Sequence, residues 1–311
     1  MSGWPALDYA ADRPVIETCH LVVQLVGKLP TRLHPWLNHG WHVAFRVTSR
    51  GFATRMMSAG DGRQFVVEID MHRGELVAGC NDGGDWRTPF AGKTIAQVRN
   101  DLAAMLEGEG LPAPLHGGPN ELPEVIPFAE DDRPRAWDAD TAMRLHGAFA
   151  NADRVFSAFR SLYLGKSSPS HFFWGSFDLA VTRFSGREAP RHPGGFPNLP
   201  DRVTREAYSH EVASAGFWPG GGGVDEAAFY AYAYPSPDGL SDQPVAPDAA
   251  FWHGDLGEFV LRYADVAAAD DPDSMLLGFL QSTYEAAARL LDWPAGLALE
   301  KASYGTPAHA V

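Results

Sequence analysis

Apolar residues recur every three or four positions in four segments of the chain, which is the spacing of an amphipathic helix. These segments are residues 16–26, 94–107, 139–164 and 272–291. Thr94 begins one of them and Asp271 directly precedes another, at positions where a side-chain oxygen caps the first turn of a helix. Gly27 and Gly165 follow two others, and glycine commonly ends a helix in the left-handed conformation. The pattern therefore predicts four helices.

Between these segments apolar and polar residues alternate, which is the pattern of strands with one buried face. The predicted strands are residues 41–48, 65–69, 75–78, 173–184, 208–213, 228–234 and 258–263. The pair 65–69 and 75–78 flanks His72-Arg73-Gly74 and predicts a hairpin. Because short turns join consecutive strands, we expect antiparallel pairing and an α+β fold.

The order of these elements is similar in the two halves of the chain. Each half runs through a helix, a Gly-Lys pair, a loop, a strand that ends in Val-Thr, further strands and a long amphipathic helix. We therefore expect two βα structural repeats, each an antiparallel sheet flanked by long amphipathic helices. The first repeat covers residues 1–112, a connecting strap rich in proline and acidic residues covers 113–138, and the second repeat covers 139–311, all in one compact unit. Chance similarity over short runs is the alternative explanation.

The composition of the 311-residue chain is that of a globular protein, with 45% hydrophobic and 21% charged residues. Its net charge of -14 provides no overall basic surface for nucleic acid. No apolar run approaches the roughly 20 residues that span a bilayer, and the N terminus lacks the pattern of a signal peptide. Cys19 and Cys80 are too far apart in sequence to suggest a disulfide framework or a zinc site. We expect a cytoplasmic protein without nucleic-acid or membrane partners.

Polar and aromatic residues are concentrated in two runs of the second half, 165–187 and 208–220. In the first run, strand alternation places Trp174 on one face with Asp178, and an aromatic ring beside a carboxyl group is typical of a ligand-binding wall. Gly165-Lys166-Ser167 is not a phosphate loop, because a helix precedes it and the glycine required five residues earlier is missing.

Four residues in these runs are candidates for catalysis: His171, His210, Asp178 and Glu211. Histidine titrates near neutral pH, so we expect His171 or His210 to transfer a proton while Asp178 orients a histidine or a substrate hydroxyl. His210 and Glu211 are adjacent on a strand and face opposite sides unless a bulge intervenes. The same four side chains are candidate metal ligands, and the presence of a metal or a cofactor stays open.

Eight residues are candidates for binding a substrate. Lysine and arginine hold carboxylate or phosphate groups, tryptophan forms an apolar wall, and Asn38-His39 approaches from the first half. The candidates are Lys28, Asn38, His39, Lys166, Trp174, Arg183, Arg187 and Trp218. In the alternative interpretation, Asp178, Arg183 and Arg187 pair internally and support the junction of the repeats.

The runs at Asn38-His39, 165–187 and 208–220, the last reading YSHEVASAGFWPG, resemble a bacterial family of about this length whose function is unknown. That family has two tryptophans after Asn-His, where this chain has Gly40-Trp41. The resemblance implies a bacterial, cytoplasmic protein and no particular activity. From the residues we expect an enzyme that acts by acid/base chemistry on a small anionic metabolite. The alternative is a non-catalytic ligand-binding or protein-interaction module in which the polar and aromatic run is structural.

Overall fold

The computed structural model describes residues 3–196, 198–221 and 224–298. Its helices are α1 (Tyr9–Val26), α2 (Lys28–Leu33), α3 (Ile95–Gly108), α4 (Ala139–Ser161), α5 (Asp201–Ala207), α6 (Tyr263–Ala267) and α7 (Pro272–Leu290). Two short 3-10 helices are Asn38–Gly40 and Leu240–Asp242. The strands of the first half are β1 (Arg46–Val47), β2 (Gly51–Ala53), β3 (Met57–Ser58), β4 (Gln64–Asp70), β5 (Glu75–Cys80) and β6 (Asp85–Pro89). Those of the second half are β7 (His171–Phe173), β8 (Asp178–Glu188), β9 (His210–Trp218), β10 (Ala228–Tyr234), β11 (Phe251–His253) and β12 (Glu258–Arg262).

These strands form two antiparallel sheets of six strands each, one from each half of the chain. The first has the order β1-β2-β4-β5-β6 with β3 beside β4, and the second has the order β11-β12-β10-β9-β8-β7. The predicted α+β fold with antiparallel sheets is therefore confirmed. The two strand orders differ, since β12 lies between β10 and β11, and the internal repeat stays a prediction.

Side-chain caps begin three long helices, and two of these caps, Thr94 and Asp271, were predicted. Thr94, Asp138 and Asp271 each accept a hydrogen bond from the backbone N–H three residues later, at the starts of α3, α4 and α7. Helix α1 begins earlier than predicted, at Tyr9, because Asp8 caps it there. Pro14 lies inside this helix. No helix in the described part of the chain is long and apolar enough to cross a membrane. A cytoplasmic location remains a prediction.

The prediction that two glycines end helices in the left-handed conformation is wrong. Gly27 has a φ of −59° and joins α1 directly to α2. A side chain there would overlap the ring of Trp174, so close packing is what requires the glycine. Gly165 also lies outside the left-handed region, and α4 already ends at Ser161. Lys28 and Lys166 are therefore not cations placed at a glycine-capped helix end.

Most of the predicted strands are confirmed, including the β4–β5 hairpin, but two are corrected. In the segment 41–48 only Arg46–Val47 forms a strand, because a 3-10 helix and a turn precede it. The segment 173–184 is not one strand but the hairpin of β7 and β8. Residues 174–177 form its turn, in which Phe177 has a φ of 59°.

A backbone bridge between Phe45 and Phe172 joins the two sheets. Phe45, next to β1, donates its N–H to the carbonyl of Phe172 in β7 at 2.8 Å, and Phe172 returns the bond at 2.9 Å. The ring of Phe172 stacks on Phe52 of the first sheet with 4.0 Å between centroids, and Phe149 of α4 meets both rings edge-on. One hydrophobic core therefore includes both halves of the chain.

The second sheet has two chemically different faces, because side chains alternate along its strands. Leu179, Val181 and Phe217 are buried on the face toward α4 and α7. The opposite face carries Asp178 and Thr182 on β8, together with tyrosines of β10. This polar and aromatic face is where the candidate site lies.

Candidate functional site

A cavity of about 450 Å³ opens on the face of the second sheet that lies opposite α4 and α7. Strands β7 to β10 form its floor, while the segment 36–43, helix α5 and residues 120–121 of the strap form its walls. This volume suits a small organic molecule. Both halves of the chain and the strap between them therefore contribute to the cavity.

Asp178 lies at the floor of this cavity, at the start of β8. Its Oδ1 accepts a hydrogen bond from the hydroxyl of Ser176, and its Oδ2 accepts one from the hydroxyl of Tyr230 on β10. The side chain is buried, and burial raises the pKa of Asp178 above its ordinary value although both hydroxyls favour the carboxylate. The carboxyl group is held in one orientation by two neutral donors.

Glu121 reaches the same cavity from the strap. Gln24 of α1 fixes this part of the strap: its amide nitrogen donates to the carbonyls of Asn120 at 2.7 Å and Gly175 at 2.9 Å, and its oxygen accepts from the N–H of Asn120 at 2.9 Å. Glu121 is exposed on the cavity wall. The protein around this residue nevertheless removes water from its carboxyl group, and this desolvation raises the pKa of Glu121 to about 7. The charge of Asp178 adds to the rise. The cavity thus holds two neighbouring carboxyl groups.

Hydroxyl groups cover much of the remaining floor. The hydroxyls of Tyr208 and Tyr232 lie 2.9 Å apart, and those of Thr182 and Ser214 lie 2.8 Å apart. Burial raises the pKa of Tyr232 well above its ordinary value, so the phenol is neutral at physiological pH. Glu258 of β12 lies nearby, and burial raises its pKa to about 7. The floor therefore offers neutral hydrogen-bonding groups beside titrating carboxyls.

Three buried polar atoms on residues that line the cavity have no hydrogen-bond partner in the described structure. They are Nε1 of Trp174, Nδ1 of His171 and Oγ1 of Thr204. Buried polar groups in proteins are nearly always paired with protein or ordered water, so these atoms are candidates for contact with a ligand. Burial also lowers the pKa of His171 to about 3, which keeps its imidazole neutral at physiological pH.

His39 lines the opposite end of the cavity, where Lys166 supports it. Its Nδ1 lies 3.0 Å from the carbonyl of Ala207, which only accepts hydrogen bonds, so Nδ1 carries the proton. Its Nε2 then accepts from the ammonium of Lys166 at 2.9 Å. Burial lowers the pKa of both side chains. The ammonium also lies 4.6 Å from the ring centroid of Phe184 and 5.5 Å from that of Trp41.

Backbone strain is concentrated around the cavity. His39, Glu121 and Phe177 all have φ values near +60°, which non-glycine residues seldom adopt. His39 and Glu121 line the cavity, and Phe177 immediately precedes Asp178. Residues held in such conformations cost about 1–3 kcal/mol each and are common at functional sites. The clustering supports a functional role for the cavity.

Four of the predicted site residues line the cavity: His39, His171, Trp174 and Asp178. Lys166 contacts it through His39. Lys28 lies behind Trp174, with its ammonium 5.1 Å from the ring centroid and bonded to the side chain of Asn120. Burial lowers the pKa of Lys28 to about 8.

The two predicted arginines lie elsewhere. Arg183 is buried on the helix-facing side of β8, where its guanidinium stacks 3.5 Å from the ring centroid of Phe159 and donates to that residue's carbonyl. Arg187 pairs with Glu211 at 2.9 Å and donates to the carbonyl of Leu291 at the end of α7. These three predicted residues hold the sheet to helices α4 and α7 and do not line the cavity. Neither arginine pairs with Asp178.

The remaining three predicted residues also lie outside the cavity lining. His210 begins β9 with its ring 6.4 Å from that of His39, and Trp218 ends the same strand. His210 and Glu211 point to opposite faces of the sheet, as strand alternation predicts. Asn38 is exposed at the start of its 3-10 helix.

Sequence reasoning missed Glu121, Tyr230, Tyr232 and Glu258. The alternation of alanine and tyrosine in residues 231–234 was the available signal for a tyrosine-lined face. Glu121 gave no signal, because its position depends on hydrogen bonds to the distant Gln24. Within the described residues, no group of three or more His, Cys, Asp or Glu is placed to hold a metal ion.

Comparison with known proteins identifies a family whose function is unknown. The sequence profile described as "Family of unknown function (DUF5996)" matches residues 4–300. This match confirms the expected similarity to an uncharacterised family over nearly the whole chain. No curated protein and no solved structure matches.

Proposed function

This chain belongs to DUF5996, a family of unknown function, and we propose that it is an enzyme that transfers protons to and from a small organic molecule in the cavity. The single observation that carries this proposal is the pair of carboxyl groups, Asp178 and Glu121, in a cavity of about 450 Å³. Paired carboxyls with different surroundings are a common arrangement for acid/base chemistry.

Glu121 is the candidate proton donor and acceptor. A group is most effective in proton transfer when its pKa lies near the working pH, and the pKa of Glu121 is about 7. Asp178 is held by Ser176 and Tyr230, which suits a group that orients a substrate and responds to charge on Glu121. His171, which has a pKa of about 3, is a neutral hydrogen-bonding partner in this scheme.

The proposed substrate is not the anion expected from sequence. That expectation depended on Lys166, Arg183 and Arg187, and none of these side chains lines the cavity. Trp174, together with the tyrosines of β10, provides apolar walls, and the unpartnered Nε1 of Trp174 is available to a ligand acceptor. We therefore propose a substrate with an apolar body and a few polar groups.

The test is turnover of a pooled metabolite library, followed by mass spectrometry. We expect the protein to consume at least one compound, and Glu121→Gln and Asp178→Asn each to reduce that rate at least about a hundredfold, the usual effect of removing a general acid or base. Glu130→Gln is the matched control, because Glu130 is an exposed residue of the same strap. Turnover that survives both cavity substitutions would refute the proposal.

A second candidate function is binding without catalysis. The observation that favours it is the pair of exposed aromatic residues on the cavity wall, Trp36 at 45% and Phe196 at 49% exposure, since exposed aromatic rings are typical of binding surfaces. Saturable binding of a library compound without any turnover would support this function over the enzyme.

A further inference from the structure

Asp178 differs from every other buried aspartate in the described structure. The described residues include four buried aspartates: Asp12, Asp70, Asp131 and Asp178. The first three each have an arginine partner: Asp12 lies 2.7 Å from Arg144, Asp70 lies 3.5 Å from Arg50, and Asp131 contacts Arg135. Asp178 instead accepts hydrogen bonds from two hydroxyls and has no arginine or lysine partner among the described residues. Because an unpaired buried carboxylate is costly, the missing cation is a feature that needs an explanation.

The neighbouring acidic residues have no cationic partner either. Glu121 and Glu258 form no ion pair in the part of the chain that the structure describes. Each interacts with the charge of Asp178, and the three carboxyls therefore repel one another when ionised. This end of the cavity is acidic, and although the Lys28 ammonium lies behind Trp174, it forms no ion pair with any of the three carboxyls in the part of the chain that the structure describes.

Two further basic side chains lie near the cavity, Lys166 and Arg202. The ammonium of Lys166 lies over the ring of Phe184. Phe184 follows Asp178 by six positions on β8, so the rise of a strand separates their Cα atoms by about 20 Å. Arg202 is the one lysine or arginine that lines the cavity among the described residues, and it stacks 5.7 Å from the ring centroid of Trp36. Neither side chain forms an ion pair with Asp178.

Aromatic rings and buried polar atoms without a partner also line the cavity near Asp178. Trp174 and Tyr230 line the cavity beside Asp178, and aromatic faces attract organic cations. Trp174 and His171, which are 8% and 5% exposed, each present a buried polar atom without a partner. These atoms indicate a ligand independently of the carboxyl groups.

We propose that the cavity binds an organic cation, with an amine or ammonium head group against Asp178 and Glu121 and an apolar body along Trp174 and the tyrosines of β10. The cation supplies the charge that Asp178 lacks among the protein's own side chains. This inference rests on the proposed function only in taking the cavity as the binding site.

The experiment compares three probes that share one body and differ in charge: 2-phenylethylamine, 2-phenylethanol and 3-phenylpropanoate. Their dissociation constants are measured by NMR titration of the full-length protein. We expect the amine to bind at least about tenfold more tightly than the alcohol, in line with an ionic contact that is partly desolvated, and the carboxylate to bind most weakly.

Three variants identify the groups responsible. Glu121→Gln is expected to fold normally, because the side chain is exposed, and to reduce the preference for amine over alcohol at least about threefold. Asp178→Asn keeps the shape of the buried side chain and is expected to reduce the preference further. Ala180→Trp fills the cavity from β8 and is expected to abolish binding of all three probes.

Each other outcome overturns a definite part of the proposal. Equal affinities that Ala180→Trp abolishes would refute the cation while leaving the cavity as the binding site. Tighter binding of the carboxylate would refute it in the same way. Amine binding that survives Ala180→Trp would refute the location. The absence of binding by all three probes would refute the organic-cation site, whereas the proposed function is decided separately by the turnover experiment.

Discussion

The ring of Tyr230 lies directly over Gly216. The two residues are paired in the register of β10 and β9, and Gly216 is paired in turn with Ala180 of β8. A side chain at position 216 would overlap the end of the Tyr230 ring. The missing side chain therefore gives Tyr230 a path across β9 to the carboxyl group of Asp178.

Gly216→Ala is expected to displace Tyr230 and break its hydrogen bond to Asp178. The overlap with a buried ring should lower the free energy of unfolding by about 1–3 kcal/mol, measured by urea denaturation. Binding of 2-phenylethylamine should weaken as well. Tyr230→Phe, which removes only the hydroxyl, should weaken binding with a smaller loss of stability.

Gly278→Ala is the matched control for this substitution. Gly278 lies inside α7, and a methyl group there would meet no other atom within 4 Å. Because alanine favours the helix over glycine, this variant should be more stable by about 0.5–1 kcal/mol. Stabilisation by both alanines would show that the overlap at Gly216 is relieved without cost.

The affinity for 2-phenylethylamine is expected to rise with pH through about 7. Protonated Glu121 is neutral and does not attract the cation, whereas its carboxylate does. Binding should therefore be several-fold tighter near pH 8 than near pH 6. Glu121→Gln should flatten this dependence. Among the described residues, the other titratable groups around this end of the cavity are Asp178 on β8, His171 on β7, Tyr208 after α5, Tyr230 and Tyr232 on β10, Glu258 on β12, Lys28 on α2 and His20 on α1.

A dependence that persists in Glu121→Gln would assign the titration to another of these groups. Glu258 is the first to examine, because its pKa is also about 7.

Glu258→Gln is expected to stabilise the protein above neutral pH. Burial raises the pKa of Glu258 from 4.5 to about 7, so the folded state holds this proton more tightly than the unfolded state does. Stability from this group is therefore full below pH 4.5 and is lost as the pH rises to about 7. The variant should gain about 1–3 kcal/mol over the native protein near pH 8 and nothing near pH 4.5. Urea denaturation at both pH values measures the difference, with Glu130→Gln as an exposed control.

Gln24→Leu is expected to release the strap from the cavity wall. The substitution removes the acceptor of the Asn120 N–H and the donor to the carbonyls of Asn120 and Gly175. Leaving these groups unpaired should cost about 1–3 kcal/mol, and hydrogen exchange at the Asn120 amide should accelerate. Thr18→Val on the same helix removes a hydrogen bond to the carbonyl of Pro14 instead of a bond to the strap, so its Asn120 amide should exchange at the native rate.

The sequence predicted those parts of the fold that short-range chemistry determines. Thr94 and Asp271 mark helix starts because each cap forms within one turn. Strand alternation correctly placed Asp178 and Thr182 on one face and Leu179 and Val181 on the other. The same alternation places Arg183 with Leu179 and Val181, although Arg183 was predicted to bind a substrate, and the structure places it against Phe159 on the helix-facing side.

The parts that failed depend on contacts between distant residues. The turn at 174–177 was hidden because hydrophobic alternation continues through it, and the left-handed conformation of Phe177 has no sequence signal. Glu121 belongs to the site because hydrogen bonds from the distant residues Gln24, Lys28 and Asn198 hold this part of the strap in place. Similarly, Arg187 is occupied by Glu211 and by the end of α7, which a single sequence does not reveal.

The pairing of Phe45 with Phe172 also covers the outermost strand of the second sheet. In a fragment that begins after the strap, the N–H and carbonyl groups of β7 on that side would be left open to strands from other molecules. Such uncovered strands are templates for aggregation. The first half therefore protects the sheet that contains Asp178 from self-association.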